Sequence, residues 1–352
     1  MIAAGDLAAS RPPCSLAERD AARTVASRLR RFGLRPRTIP ARAPTSPTWI
    51  PLIRALCRVW AAAFLAAEMP LGARILAAIA IAAGLPQVGG LVRFVPLLGA
   101  TTHNVITSKA GTDRSIRPIV VTAHLDTHST AGRPMTRTHE LISALSGFLI
   151  LAAAIVGHRS GAWRPVTALV AAEAVLTLAW LARRELTTPS EVPDDNTSGI
   201  IALLRVAELV AEEPPLHDVW IAATGAGTSG SYGLVALLRR RRELRDAWVV
   251  EVDALGSGEM VASPFTAHLS HPGTPDQLVQ AIAAAAKASG DPLNVRRVRR
   301  PHSDARAALR LRTPAIALTA GLRQLAFDGS GPDPANAERA ARVIDRLVRV
   351  EN

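Results

Sequence analysis

A histidine and an aspartate two residues apart, His124 and Asp126, stand near the end of the run RPIVVTAHLDTHST (Arg117–Thr130). Imidazole nitrogen and carboxylate oxygen are zinc ligands, and a carboxylate beside a ligating imidazole fixes its tautomer by accepting its second N–H. Asp126 is therefore expected to orient His124. Two further acids have comparable settings. Asp195 lies in PDDNTSG (Pro193–Gly199) at the start of an apolar periodic segment, and Asp253 ends AWVVEVD (Ala247–Asp253). Each also has a plain structural explanation: acids favour a helix N-terminus, and an aspartate before Gly256 suits a turn. Delivered to one place, one imidazole and two carboxylates make a three-ligand zinc set with an open position for water.

The elements that must deliver them follow from pattern. Ile119-Val120-Val121-Thr122, β-branched and bounded by Pro118, reads as a buried strand that carries His124 at its carboxyl end. In an open α/β sheet that edge is where ligands bind. Helices are predicted over Leu16–Phe32 (Ser15 as N-cap, Gly33 as stop), Thr197–Glu212, Ser231–Arg242, Pro275–Ser289, Ser303–Arg312 and Ala335–Val350. Strands are predicted within 34–51 and over His103–Ser108, His217–Thr224, Ala247–Val252 and Pro314–Thr319. This alternation implies an α/β fold, a mostly parallel central sheet with helices on both faces.

Two apolar helical hairpin insertions interrupt it. Residues 52–98 hold the uninterrupted runs Val59–Ala67 and Ile75–Leu85 among Arg54, Arg58, Glu68, Arg74 and Arg93. Each run is shorter than the roughly 20 residues of a span, so this zone crosses as tilted helices with snorkelling arginines or lies at the interface. Residues 137–184 hold the uncharged Leu141–Gly157 and then Val166–Ala182, charged only at Glu173. That is the pattern of a transmembrane hairpin, the other reading being a buried helical pair.

Composition agrees with a bilayer as partner. The 352-residue chain has a formal charge of +12 and a mean hydropathy of +0.19. Its arginines are spread along helix faces and beside apolar runs, without an aromatic-interleaved basic stripe, so nucleic acid is not an expected partner. Cys14 and Cys57 form neither a disulfide framework nor a C-x-x-C zinc site. The charged, helix-periodic start gives no expectation of a secretory signal. On the domain side of the apolar runs stand Arg54, Arg58, Arg93, Arg133, Arg137, Arg183 and Arg184, against Arg74, Arg159 and Arg164 on the far side. The positive-inside rule then predicts an integral protein of the cell membrane with its folded domain in the cytoplasm.

The order of motifs resembles the M28 family of zinc aminopeptidases. The residues carrying the resemblance are Ala123-His124-Leu125-Asp126, Asp195-Asn196-Thr197-Ser198-Gly199, the segment Thr224–Gly233 (TGAGTSGSYG), Asp253, and Ser303-Asp304 leading to Thr313-Pro314. It spans the chain apart from the insertions. It implies a peptidase-like domain made of residues 1–51, 99–136 and 185–352. It also implies that His124, Asp195 and Asp253 hold one zinc, with Asp195 bridging to a second.

The departures bear on function. By the same resemblance, the general base and a second-zinc ligand, two glutamates in the family, fall on Gly227 and Thr228. The family histidine beside Ser303-Asp304 falls on Ala305, and the late histidine has no counterpart in Asp328–Asp333. At most one zinc ion is expected, with catalysis impaired, since general-base assistance is worth roughly 10²–10⁴ in rate. The sequence thus predicts a membrane-anchored metallopeptidase-like protein that binds a peptide or protein. The alternatives are a single-zinc hydrolase with a relocated base, for which Asp194 and His128 are the nearby candidates, and a metal-free membrane scaffold. His268 and His271 read as surface residues, and His302 is three residues from the family position.

Overall fold

A computed structural model describes residues 7, 10–45, 49–89, 99–127, 137–157, 163–186, 196–256, 258–267, 271–298, 303–320 and 333–351. The chain forms two compact units. One comprises Met1–Ser46, Val95–Ser129 and Glu191–Asn352; the other comprises Pro47–Phe94 and Thr130–Ser190.

The first unit is an eight-stranded sheet in the order β1-β2-β4-β3-β5-β8-β6-β7. Its strands are β1 (Arg37–Ala43), β2 (Ala100–Lys109), β3 (Ile119–His124), β4 (Val219–Thr224), β5 (Trp248–Val252), β6 (Met260–Ser263), β7 (Asn294–Val295) and β8 (Ala315–Ala320). The central four, β4-β3-β5-β8, are parallel. Towards the edges the sheet is mixed: β1 pairs with β2, β2 with β4 and β6 with β8, all antiparallel. Every residue of β3, β5 and β8 is buried, as expected of parallel strands covered on both faces.

Side chains alternate across the sheet. Ile119, Val121 and Ala123 join a core layer with α1 (Leu16–Arg31), α6 (Thr197–Glu212), α8 (Asp276–Ala288) and α10 (Pro334–Leu347). Val120 points the other way, into a layer with α7 (Tyr232–Arg240) and α9 (Asp304–Arg310). Ser15 caps α1 by accepting the Glu18 N–H, and Asp333 caps α10 by accepting that of Ala335. Elements predicted from pattern end within a few residues of those observed. β6 and β7 escape the pattern because a four-residue and a two-residue strand carry too little periodicity.

The second unit is four helices: α2 (Trp49–Ala66), α3 (Pro70–Gly89), α4 (Arg137–Ala152) and α5 (Arg164–Leu186). A π-helical turn, Ala153–Gly157, follows α4, and the Arg74 guanidinium donates to its Ala154 carbonyl at 3.0 Å. The helices meet on three alanines, Ala61, Ala62 and Ala77, packed with Ile150 and Val170 at the centre. Arg58 is buried among them, its Nη1 3.0 Å from the Glu173 carboxylate and 2.8 Å from the Ser143 carbonyl. Thr177 supports Glu173 from the next turn at 3.0 Å. Large apolar side chains point outward from this unit: of those exposed among the described residues, all but Leu16 and Val295 belong to it. Among the described residues one helix, Arg164–Arg183, is long and apolar enough to cross a membrane, while Pro70–Ile81 and Leu145–Val156 are shorter apolar stretches.

Candidate metal centre at the sheet rim

β3 ends on His124, whose ring is almost buried. Its Nδ1 lies 2.7 Å from the main-chain oxygen of Asp126. A carbonyl only accepts, so Nδ1 carries the hydrogen, and in the neutral ring Nε2 presents its lone pair. That Nε2 is 3.3 Å from Asp253 Oδ1. A lone pair and a carboxylate at this distance repel unless a proton or a cation stands with them. The edge of a tetrahedron with metal–ligand arms of about 2.0–2.1 Å is roughly 3.3 Å, so the pair has the separation of two ligands on one zinc. The fixed tautomer turns the right nitrogen towards it.

Asp126 is the residue that faces the His124 Nδ1, through its backbone carbonyl at 2.7 Å and, more distantly, its carboxylate. The orienting acceptor is its backbone carbonyl, while its Oδ1 stays 3.6 Å from Nδ1. The carboxylate is occupied by the turn after β4: Gly227 N donates to Oδ1 at 2.6 Å, and Thr228 donates to Oδ2 through N at 2.9 Å and Oγ1 at 2.6 Å. Burial alone would raise its pKa. The neighbouring imidazole, the Thr228 hydroxyl and the Gly227 N–H outweigh that and hold it below the usual carboxylate value.

The turn carrying Gly227 and Thr228 is wound tightly. Gly230 N and Ser231 N both return to the Gly227 carbonyl, and Ala226 and Ser231 take left-handed φ values of 52° and 57°. At Gly227, the position where the sequence resemblance leads one to expect a general base, a side chain would collide with its surroundings. A Cβ on Gly227 would fall 2.7 Å from His124 Cγ and closer still to His124 Cβ. The atoms such a Cβ would meet belong to the side chains of His124 and Asp126.

Asn196 ties the rim together. Its Nδ2 donates to the His124 carbonyl at 3.1 Å and its Oδ1 accepts from Ala254 N at 3.0 Å, linking the ends of β3 and β5. It does so in the left-handed conformation, φ 61°, which asparagine tolerates better than most residues. Ser198 accepts from Leu255 N at 2.8 Å, a second bond between the start of α6 and the strand after Asp253. Asp195, the residue before this clamp, lies outside the described residues, as do Asp194, His128, His268, His302 and residues 328–332. Among the described residues no group of three or more His, Cys, Asp or Glu is placed to hold a metal. His271 Nδ1 lies 2.8 Å from the Pro272 carbonyl at the surface.

Ser303-Asp304 serves the scaffold. Asp304 Oδ2 accepts from Thr122 at 2.9 Å and from Thr224 at 2.7 Å, clamping β3 to β4. Glu251 accepts from the N–H groups of Asp304 and Ala305 at the start of α9, and from the Ser303 hydroxyl. Ala305, at the family histidine position, is fully buried in the apolar layer under α7 and α9.

One further acid has a role that sequence pattern does not signal. Glu18, in the first turn of α1, is completely buried, accepting from Ala226 N and Thr102 Oγ1 at 2.8 Å each and from Cys14 N at 2.8 Å. It braces the back of the Gly227 turn. Burial, then the nearby Asp126 charge, push its pKa up to about 7. The S-x-x-E spacing from Ser15 to Glu18 is a capping-box signal, but nothing local shows that this carboxylate also reaches a turn two hundred residues away.

No protein-family profile and no curated protein matches this sequence. Solved structures do match the fold. A zinc aminopeptidase from Bacillus subtilis is 12% identical, with 98% of this chain and 92% of that chain covered at a TM-score of 0.56. A zinc-dependent exopeptidase from Parabacteroides distasonis is 13% identical, with 99% and 95% covered at 0.58. A glutaminyl cyclase from Bacteroides thetaiotaomicron is 14% identical, with 97% and 93% covered at 0.55. The chain therefore has the α/β fold shared by zinc aminopeptidases and glutaminyl cyclases, and fold alone does not choose between reactions.

Proposed function

We propose that this chain is a membrane-anchored protein whose aminopeptidase-like unit keeps one zinc site and uses it to bind a peptide or protein, with hydrolysis suppressed. The observation that carries this reading is the pairing of two facts at the rim. His124 Nε2 and Asp253 keep a ligand-to-ligand separation of 3.3 Å. Meanwhile the backbone of Gly227 is pressed against His124 where a general base would need a side chain.

His124, Asp253 and, by its place in the motif, Asp195 would hold the ion. Zinc in such a site polarises a carbonyl oxygen or lowers the pKa of a bound water. The chain's own groups do the remainder: the Asp126 carbonyl holds the imidazole tautomer, and Asn196 fixes the ends of β3 and β5 against each other. The two nearby acids are committed to other bonds. Asp126 accepts three hydrogen bonds from the Gly227 turn, and Glu18 lies behind that turn, fully buried. Proton transfer from an attacking water thus lacks its usual partner among the described residues.

The anchoring half of the reading rests on the outward apolar side chains of α2–α5 and on the length of Arg164–Arg183. The arginine distribution of the sequence favours a cytoplasmic α/β unit.

Metal analysis of detergent-purified full-length protein tests the reading. About one zinc per chain is expected, lost in His124→Ala and in Asp253→Asn, with no release of aminoacyl chromogenic groups above the Asp253→Asn background. Zinc content unaffected by either substitution refutes the site. Zinc-dependent turnover would instead establish a single-metal hydrolase. An absence of zinc in the wild type would leave the metal-free scaffold.

A further inference from the structure

The chain leaves the α/β unit twice and returns to it twice, and all four points lie on one rim of the sheet. It first leaves after β1 at Ala43 and returns into β2 at Ala100, and these two residues are paired partners. β2 runs antiparallel to β4, with Val105 opposite Ala223 and Lys109 opposite Val219. The Ala100 end therefore points past Thr224, towards the Gly227 turn. Asn104 Oδ1, accepting from Gly225 N at 3.0 Å, marks the same level. The chain next leaves after His124 and Asp126 themselves, and it returns into Asn196, whose side chain bonds the His124 carbonyl and Ala254 N. The carboxyl rim of the parallel strands thus carries the candidate metal ligands and the roots of both apolar insertions. The opposite rim, with Lys109, Pro118 and Trp248, carries none.

This arrangement was open to choice. A surface loop at either end of the sheet accepts an insertion at little entropic cost, and the amino rim offers the β2–β3 connection. Both apolar insertions are thus joined to the α/β unit at the rim that carries His124 and Asp253, so the site and the anchor share their points of attachment. We infer that the ligand of the His124–Asp253 site is a polypeptide anchored in the same bilayer, and that freely diffusing peptides are poor ligands. The inference rests on the membrane-anchored zinc reading above. Confinement to one surface raises the local concentration of such a ligand without any new contact.

The test uses full-length protein in vesicles and an alanine-rich decapeptide bearing a benzophenone, either free or with a C-terminal dipalmitoyl-lysine anchor. Zinc is measured on the same vesicles. The expected result is cross-linking that is lost in His124→Ala and at least tenfold stronger for the anchored peptide in the protein's own vesicles. The comparison arms are the free peptide at equal bulk concentration and the anchored peptide in separate vesicles. The adducts should map to the segments around Asp126, Asn196 and Asp253. Equal His124-dependent capture of the free peptide overturns the inference while leaving the zinc reading intact. So does capture that His124→Ala does not alter, or adducts around Lys109 and Arg117. Vesicles without bound zinc overturn both.

Discussion

Gly227→Ala adds one methyl group at the most crowded point of the rim. The new Cβ would stand 2.7 Å from His124 Cγ and 3.3 Å from Asp126 Oδ1, whereas carbon–carbon contacts settle near 3.5–4.0 Å. Something must move by about 1 Å. The turn is poorly able to retreat, because Gly227 N, Thr228 N and Thr228 Oγ1 all hold the Asp126 carboxylate and two N–H groups return to the Gly227 carbonyl. Overpacking typically costs about 1–3 kcal/mol, and a strained hydrogen bond to a charged group adds a share of its roughly 1.5–3 kcal/mol. The expected loss is about 2–4 kcal/mol, read as a shift in the urea midpoint of the detergent-solubilised full chain. Displacing His124 by even half that distance exceeds the roughly 0.2 Å latitude of a zinc ligand, so bound zinc should fall in parallel. Gly290→Ala is the control: it has φ +76° but open space around it, so only backbone strain of about 1–2 kcal/mol applies and zinc is retained. Gly227→Glu should likewise fail to confer peptidase activity. Wild-type stability and full zinc in Gly227→Ala would refute the account of a filled base position.

Two further outcomes are expected. Glu18 is protonated more readily folded, at about 7, than at its ordinary 4.5; its contribution to stability is complete below about 4.5 and is lost as pH rises to 7. The loss is about 3 kcal/mol at most, visible as a urea midpoint falling between pH 5 and 7, and Glu18→Gln should flatten that slope; an unchanged slope in the variant would contradict it. In the helical unit, Arg58→Leu strands the Glu173 carboxylate and should cost about 3–5 kcal/mol, most of it recovered in Arg58→Leu/Glu173→Leu. Thermal unfolding in detergent checks this, and a double variant no better than the single one would count against the pair.

What the sequence discloses and what it conceals divide along the range of the interactions involved. The β-branched run ending at His124 and the apolar periodicity of Thr197–Glu212 are local, and both the strand and the helix stand where the pattern puts them. The metal candidates are legible as types at strand ends, but their separation is a property of the sheet: β3 and β5 are hydrogen-bonded neighbours although far apart in the chain. Asn196 looks like a helix N-cap, yet its side chain makes no capping bond and crosses to two strands instead. The Asp126 carboxylate, expected on His124, stays within 3.6 Å of its Nδ1 but also takes its short hydrogen bonds from a turn one hundred residues away. Nor does any local signal say that Gly227 is crowded. In the sequence it is only a glycine at a position where the resemblance leads one to expect a glutamate.

The buried Arg58–Glu173 pair also bears on how the chain was assembled. Its partners come from two stretches spliced into the α/β unit at different places, and the alanine-rich centre draws on both stretches. Neither hairpin is complete alone: excising the first leaves an acid with no counter-charge, and excising the second leaves a guanidinium in an open half-core. Each insertion therefore depends on the other for its packing, and deleting either one alone is expected to destabilise the helical unit.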